Sequence, residues 1–202
     1  EVQDMAEKTG FGITKLNSLF RRHYHTTPAN FLNQRRVERA MRLLIEPQNA
    51  NKTALKVGFE VGYESLSAFH ENFRKITALT PADYRKLGSG ATFCLHLPED
   101  FRPEYALCHW DRDPKSSMER VEGERITKAI EVLGERGLLH LTLKPEKVEV
   151  HFESPESPHP TTIHEAHKIA LRLLGLCSDP LGFERKMEQN PKLQPLLGSR
   201  AG

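Results

Sequence analysis
His164 and His167 stand three residues apart on a stretch with helical periodicity, a spacing able to hold a metal ion. No third ligand accompanies them, so the pair reads as part of a surface helix and no metal is expected. His23 and His25 close another helical stretch, where phosphate contact or solvent exposure accounts for them. Cys108-His109 sets a thiol beside an imidazole within Leu107-Cys108-His109-Trp110. Asp111 and Asp113 are turn residues. Glu119, Glu122 and Glu124 alternate with Arg120, Val121 and Arg125 and read as a charged solvent face. Asp179, just before Pro180, suits the cap of a short helix at Leu181 better than a reaction. These residues form no catalytic constellation, and neither an enzymatic group nor a cofactor is expected.

The charges point to binding a polyanion instead. A net charge of +2 conceals an asymmetry, because residues 1–88 hold 14 Lys and Arg against 9 Asp and Glu. Residues 89–202 hold 15 against 18, so only the first half is expected to meet a polyanion. A hydrophobic content of 38% suffices for a core. Apolar runs are only a few residues long, so no membrane-spanning helix is expected, and nothing at the start reads as a secretory signal. Cys94, Cys108 and Cys177 make an odd count with no close pair. That excludes a disulfide scaffold and a zinc ribbon and fits a reducing, cytoplasmic compartment.

The elements that carry the basic residues are repeated. Leu16-x-x-x-Phe20-Arg21-Arg22, then Thr27-Pro28-Ala29-x-Phe31, recurs 53 positions later as Phe69-x-x-x-Phe73-Arg74-Lys75, then Thr80-Pro81-Ala82-x-Tyr84. Gly10-Phe11 and Gly62-Tyr63 precede the two copies. Each copy reads as helix, glycine turn, helix, and a Thr-Pro that stops one helix and starts the next. Leu16, Leu19 and Phe20 form the apolar stripe of the first copy; Leu66, Phe69, Phe73 and Ile76 form that of the second. The second helices are expected over Ile13–His23 and Ser65–Ile76. Between the copies the pattern predicts a long helix from Pro28 to Ile45, buried through Val37, Ala40, Met41 and Leu44, with Arg35, Arg39 and Arg42 on another face. The chain opens inside a helix at Glu1, so a supporting helix is expected upstream and the chain is read as a piece of something longer.

Gly88-Ser89-Gly90 reads as a linker, and the second half changes character. Thr92–Leu97 is expected as a strand, with a short helix between Arg102 and Trp110. Met118–Val132 and Leu138–Phe152 alternate like two hairpin pairs, with Lys144-Pro145-Glu146 as a turn. Ser154–Pro160 is a loop, and a helix resumes at Thr161 with Ile163, Ala166, Ala170 and Leu173–Leu174 on one side. Short helices are expected over Leu181–Met187 and Pro191–Leu197. The fold class is therefore a mainly α N-terminal half, two helix-turn-helix units joined by a long helix. An α+β domain with one antiparallel sheet and helices on one face follows.

A helix-turn-helix offers its second helix to the major groove while the backbone grips phosphate. Two such units on one rigid helix could read successive grooves, roughly one turn (~34 Å) apart. Glu1–Lys86 resembles the double helix-turn-helix domain of AraC-type transcription regulators. Gly62-Tyr63-Glu64-Ser65, Phe69, Phe73-Arg74-Lys75, Thr80-Pro81 and Tyr84-Arg85 lie close to that family's signature. The resemblance implies double-stranded DNA as partner and admits contact with RNA polymerase. It places Thr14, Asn17 and Ser18 toward bases in the first recognition helix, and Ser67, Ala68, His70 and Glu71 in the second. Asn17 can pair with adenine and Glu71 can accept from cytosine N4, although neither is the commoner arginine–guanine contact. Glu71 departs from the family, which often has a basic or polar residue there; this implies altered specificity or a degraded reader. His70 is explained equally by burial in the core of the second unit. Arg21, Arg35, Arg36, Arg74 and Lys75 are the phosphate candidates, against a solvated basic face for any one of them.

Leu171-Arg172-Leu173-Leu174-Gly175-Leu176, Asp179-Pro180-x-x-Phe183 and Pro191-x-Leu193-x-Pro195-Leu196 carry a second resemblance. They are similar to the N-terminal domain of alkylation-type DNA glycosylases, the 3-methyladenine glycosylase II group. Phe93-Cys94-Leu95-His96-Leu97-Pro98 and Glu119-Arg120-Val121-Glu122-Gly123 suit it too. That domain carries no catalytic group; a helix-hairpin-helix domain with the catalytic aspartate follows it in the family, and this chain stops at Gly202. Cys108-His109 lacks the proline and arginine that flank the thiol of alkyl-acceptor methyltransferases, so a nucleophilic thiol is rejected.

The two resemblances together imply residues 1–88 as an AraC-type DNA-binding domain and 91–202 as the glycosylase-like α+β domain. The function expected is a sequence-specific regulator module of an alkylation-damage response and DNA-repair protein. Alkylated DNA is a partner only of the full-length protein, whose catalytic domain is absent from this chain. The competing expectation is a ligand-responsive AraC-type regulator whose second half binds an effector.

Overall fold
Thr-Pro starts a helix at both of its repeat positions. The Thr27 hydroxyl oxygen accepts the Asn30 N–H at 3.2 Å, and that of Thr80 accepts the Asp83 N–H at 3.1 Å. Each proline takes the first helical position, where a missing N–H costs nothing. The computed structural model describes residues 1–113, 115–177, 187–193 and 195. Among the described residues it holds eight α-helices and one five-stranded antiparallel sheet, in two compact units. The first unit is Glu1–Ile76 with Thr80–Arg85; the second is Thr77–Leu79 with Lys86–Gly202.

The first unit is helical: α1 (Val2–Thr9), α2 (Ile13–Tyr24), α3 (Pro28–Ile45), α4 (Ala54–Glu60), α5 (Leu66–Thr77) and α6 (Pro81–Lys86). Gly10 at φ 68° and Gly62 at φ 94° make the two turns in the left-handed region, which glycine enters without steric cost. The long helix α3 is the shared spine, packing on α1, α2 and α4 through its buried Val37, Ala40 and Leu44. The repeat persists in the packing. Phe20 meets Phe31 edge-on at 5.5 Å, and Phe73 meets Tyr84 edge-on at 5.5 Å, 53 residues on. Leu66 departs from the sequence reading. It lies on the same side of α5 as the buried Phe69 and Phe73, but a full turn ahead of them, and stays 39% exposed.

In the second unit the strands are β1 (Thr92–His96), β2 (Glu119–Glu122), β3 (Arg125–Val132), β4 (Glu135–Leu143) and β5 (Lys147–Glu153). Their order is β1-β5-β4-β3-β2, and all neighbours are antiparallel. Register sets Leu95 opposite Val148, Leu139 opposite Phe152, Leu141 opposite Val150, and Ile126 opposite Leu141. Alternation thus gathers these side chains on one buried face. The helix α8 (Pro160–Leu173) packs on β3, β4 and β5, and α7 (Pro103–Trp110) on β2 and β3. Trp110 ties the two helices, its indole N–H donating to the Leu173 carbonyl at 3.1 Å.

Three sequence expectations change here. His164 and His167 are not on a solvent face: both are buried, because the i, i+3 pair shares the side of α8 that carries Ile163, Ala166 and Ala170. The His164 ring bonds the Pro160 carbonyl at 2.6 Å, and His167 Nε2 donates to the Thr77 carbonyl at 2.8 Å. Among the described residues no group of three or more potential ligands is placed to hold a metal ion. Gly88 is packed rather than free, since a Cβ there would stand 2.7 Å from Cβ of Pro160. The expected helix over Leu181–Met187 falls almost wholly outside the described residues. Of Pro191–Leu197, residues 191–193 form a turn.

Candidate nucleic-acid interface
The outer side of α2 is made by side chains at i, i+3, i+4 and i+7, the rows that share a helix face. Thr14, Asn17, Ser18, Arg21 and Arg22 line an open groove of about 720 Å³ there. Thr14, Ser18, Arg21 and Arg22 are exposed, and Leu16 on the opposite side is buried and fixes the helix. Asn17 is half-buried, and its amide N–H donates back to the Ile13 carbonyl at 3.1 Å. That bond uses one of the two amide N–H groups and leaves the other, with the side-chain carbonyl oxygen, for a further contact.

The corresponding side of α5 carries Ser67, His70, Glu71, Arg74 and Lys75, all exposed. His70 therefore lies outside the core, its ring edge-on to Phe69 at 5.9 Å. Ala68 is half-buried. Its N–H is capped by the Ser65 hydroxyl at 3.2 Å, and its carbonyl accepts from Asn72 at 2.8 Å. Of the residues read as base-facing, Ala68 is the one whose main chain is most engaged in the fold.

The phosphate candidates divide into two groups. Arg21, Arg74 and Lys75 project from the last turns of α2 and α5 into solvent. Arg35 and Arg36, on α3, are held by the protein. Arg35 stacks over Phe31 at 5.1 Å and pairs with Glu38 at 2.8 Å. Arg36 stacks over Tyr63 at 5.7 Å, beside Gly62, and is half-buried. Burial holds the Tyr63 phenol above its ordinary pKa, a rise that the nearby Arg36 charge opposes.

The sequence reading missed what aims α5. Asn33 of α3 donates to the Asn72 side-chain oxygen at 2.5 Å and accepts from the Tyr63 hydroxyl, so spine, turn and recognition helix share one network. A signal was available in the repeat. Asn72 occupies the position where the first copy has Leu19, and a half-buried polar residue in an apolar stripe needs partners.

Two recognition helices in matching register on one spine define a double helix-turn-helix DNA-binding domain. A family model described as a helix-turn-helix domain matches residues 5–87. SoxS, a regulatory protein of Escherichia coli, is 30% identical over 81 residues, covering 40% of this chain and 73% of SoxS. The transcriptional regulator ExsA of Pseudomonas aeruginosa is 27% identical over 86 residues, 43% of this chain and 30% of its own length. An AraC-like transcription regulator of Streptomyces lividans is 32% identical over 85 residues, 42% of this chain and 27% of its own. The chain belongs to the AraC-type helix-turn-helix transcription regulators. It spans 26–34% of the length of several of these regulators. Among the described residues no helix is long and apolar enough to cross a membrane.

Proposed function
We propose that this chain is a sequence-specific reader of duplex DNA, with residues 1–88 as the reading domain. Thr14, Asn17 and Ser18 face one half-site; Ser67, His70 and Glu71, with the more engaged Ala68, face the other. Arg21, Arg74 and Lys75 grip phosphate directly. Arg35 and Arg36 do so from their places over Phe31 and Tyr63. The observation that carries this reading is the pair of exposed polar helix faces, 53 residues apart, in the basic half of the chain. Selection from a random duplex library should return a bipartite site protected in two successive major grooves. A library with no enrichment, or a single protected groove, would count against two readers.

We further propose that the chain serves an alkylation-damage response, residues 91–202 being the non-catalytic domain beside a glycosylase's helical domain. A small antiparallel sheet backed by helices on one face supports this, since it agrees in kind with what the resemblance implies. Excision requires a base flipped into a pocket, and the acids of β2 and its turn instead pair with cations, Glu122 with Arg120 and the other two with lysines. Glu119 meets Lys128 at 2.6 Å and Glu124 meets Lys144 at 2.9 Å. Incubated in excess with alkylated duplex, the chain should release no 3-methyladenine. Release that disappears on mutating an acid between Glu99 and Glu188 would replace this account with an enzyme.

A further inference from the structure
We propose that Ile13 and Leu66 read thymine through its 5-methyl group, each from the first turn of its recognition helix. The inference rests on the DNA-reading function above and names a specificity determinant within it. Ile13 opens α2 and Leu66 opens α5, 53 residues apart, so they hold the same place in the two copies. Three residues later Leu16 and Phe69 are buried to 4% and 0%, whereas Ile13 and Leu66 remain 46% and 39% exposed. Both lie on the core side of their helices but ahead of the core, at the end that enters the major groove.

Their neighbours identify the occupant. A face meant for another protein would continue the apolar surface, but the exposed residues over the two turns beyond Ile13 are Thr14, Lys15, Ser18, Arg21 and Arg22. Those beyond Leu66 are Ser67, His70, Glu71 and Arg74. An aliphatic group set among short polar side chains and a phosphate-binding cation matches a major-groove edge. There the thymine 5-methyl is the apolar element of the base-pair code. Short neighbours let the aliphatic group approach. Neither recognition helix carries an acidic residue in its first turn to repel the backbone.

Deoxyuridine tests this cleanly, because it pairs as thymidine does and lacks only the methyl. The full 202-residue chain would be titrated onto the duplex it selects from a random library, each thymidine replaced in turn. Wild type should lose about three- to fivefold at one or two positions per half-site, the worth of burying one methyl. Ile13→Ala should bind more weakly and lose nothing further at its positions, and Leu66→Ala should do the same in the other half-site. Specific binding with a flat deoxyuridine scan on wild type would overturn the inference, whatever the variants do. So would losses that persist unchanged in both variants, or variants that alter the oligomeric state but not the uridine response. Failure to select any preferred duplex would overturn the DNA-reading function itself, and this inference with it.

Discussion
Gly58 on α4 lies against Phe69 on α5 so closely that a Cβ there would sit 2.9 Å from Cδ1 of the ring. In the first copy the same two positions are Ala6 and Leu16, both buried. The repeat therefore trades volume across one contact, a larger residue facing a smaller one. Phe69 is fully buried and cannot swing aside, so Gly58→Val should overpack the second helix-turn-helix and cost about 1–3 kcal/mol. Denaturant melts read this directly; an unchanged midpoint would mean the two helices do not cross as described.

The Asn33–Tyr63–Asn72 network makes a sharper prediction. Asn72→Leu alone restores the residue type of the first copy but leaves the Asn33 amide N–H without its acceptor, at a cost of about 1–3 kcal/mol. Adding Asn33→Leu and Tyr63→Phe should recover most of that loss, since apolar replacement of every partner is far cheaper than orphaning one. Additive losses in the cycle would show that the three side chains act independently.

How much of this was legible in the sequence depends on what each feature needed. Caps and turn residues follow from local chemistry, so Pro28–Ile45 and the Lys144-Pro145-Glu146 turn between β4 and β5 were legible, whereas β4 begins at Glu135, three residues before the expected Leu138. Burial is a tertiary property and was read less well. The His164–His167 pair went to the surface by residue type, although its spacing from Ile163 and Ala170 placed it inward. Leu66 went to the core by periodicity, because periodicity gives direction but not the distance past the last core layer. Asn33 and Asn72 could be paired only once α3 and α5 were set side by side.

Buried His167 makes the second unit sensitive to acid. Desolvation lowers its pKa from 6.5 to about 4, against the bond to the Thr77 carbonyl, which favours the charged form. His164 is lowered too, chiefly by burial. The unfolded chain thus takes up protons near pH 6.5 that the folded chain refuses. Stability is complete above that pH and falls as pH drops toward 4, by on the order of 3 kcal/mol. His167→Gln keeps a donor for the Thr77 carbonyl but has no proton to gain. Its melting temperature should vary less between pH 7 and pH 4.5 than that of wild type, whereas equal slopes would move the acid sensitivity elsewhere.

Asn17→Ala removes the side chain proposed to read a base in the first half-site. It should cost about 1–3 kcal/mol at one half-site of the selected duplex and relax preference there. The other half-site should keep its protection. An unchanged footprint at equal affinity would strike Asn17 from the reading set.

The most direct test of the account is the salt dependence of binding to the selected duplex and to a scrambled one. If five cations (Arg21, Arg35, Arg36, Arg74 and Lys75) neutralise phosphate, log affinity should fall with log salt at a slope of roughly −4 to −5 on both. Arg74→Ala should flatten that slope by about one, and the selected duplex should keep its advantage as salt rises. Affinity independent of salt, or a selected duplex bound no better than the scrambled one, would contradict the two-helix reading of DNA.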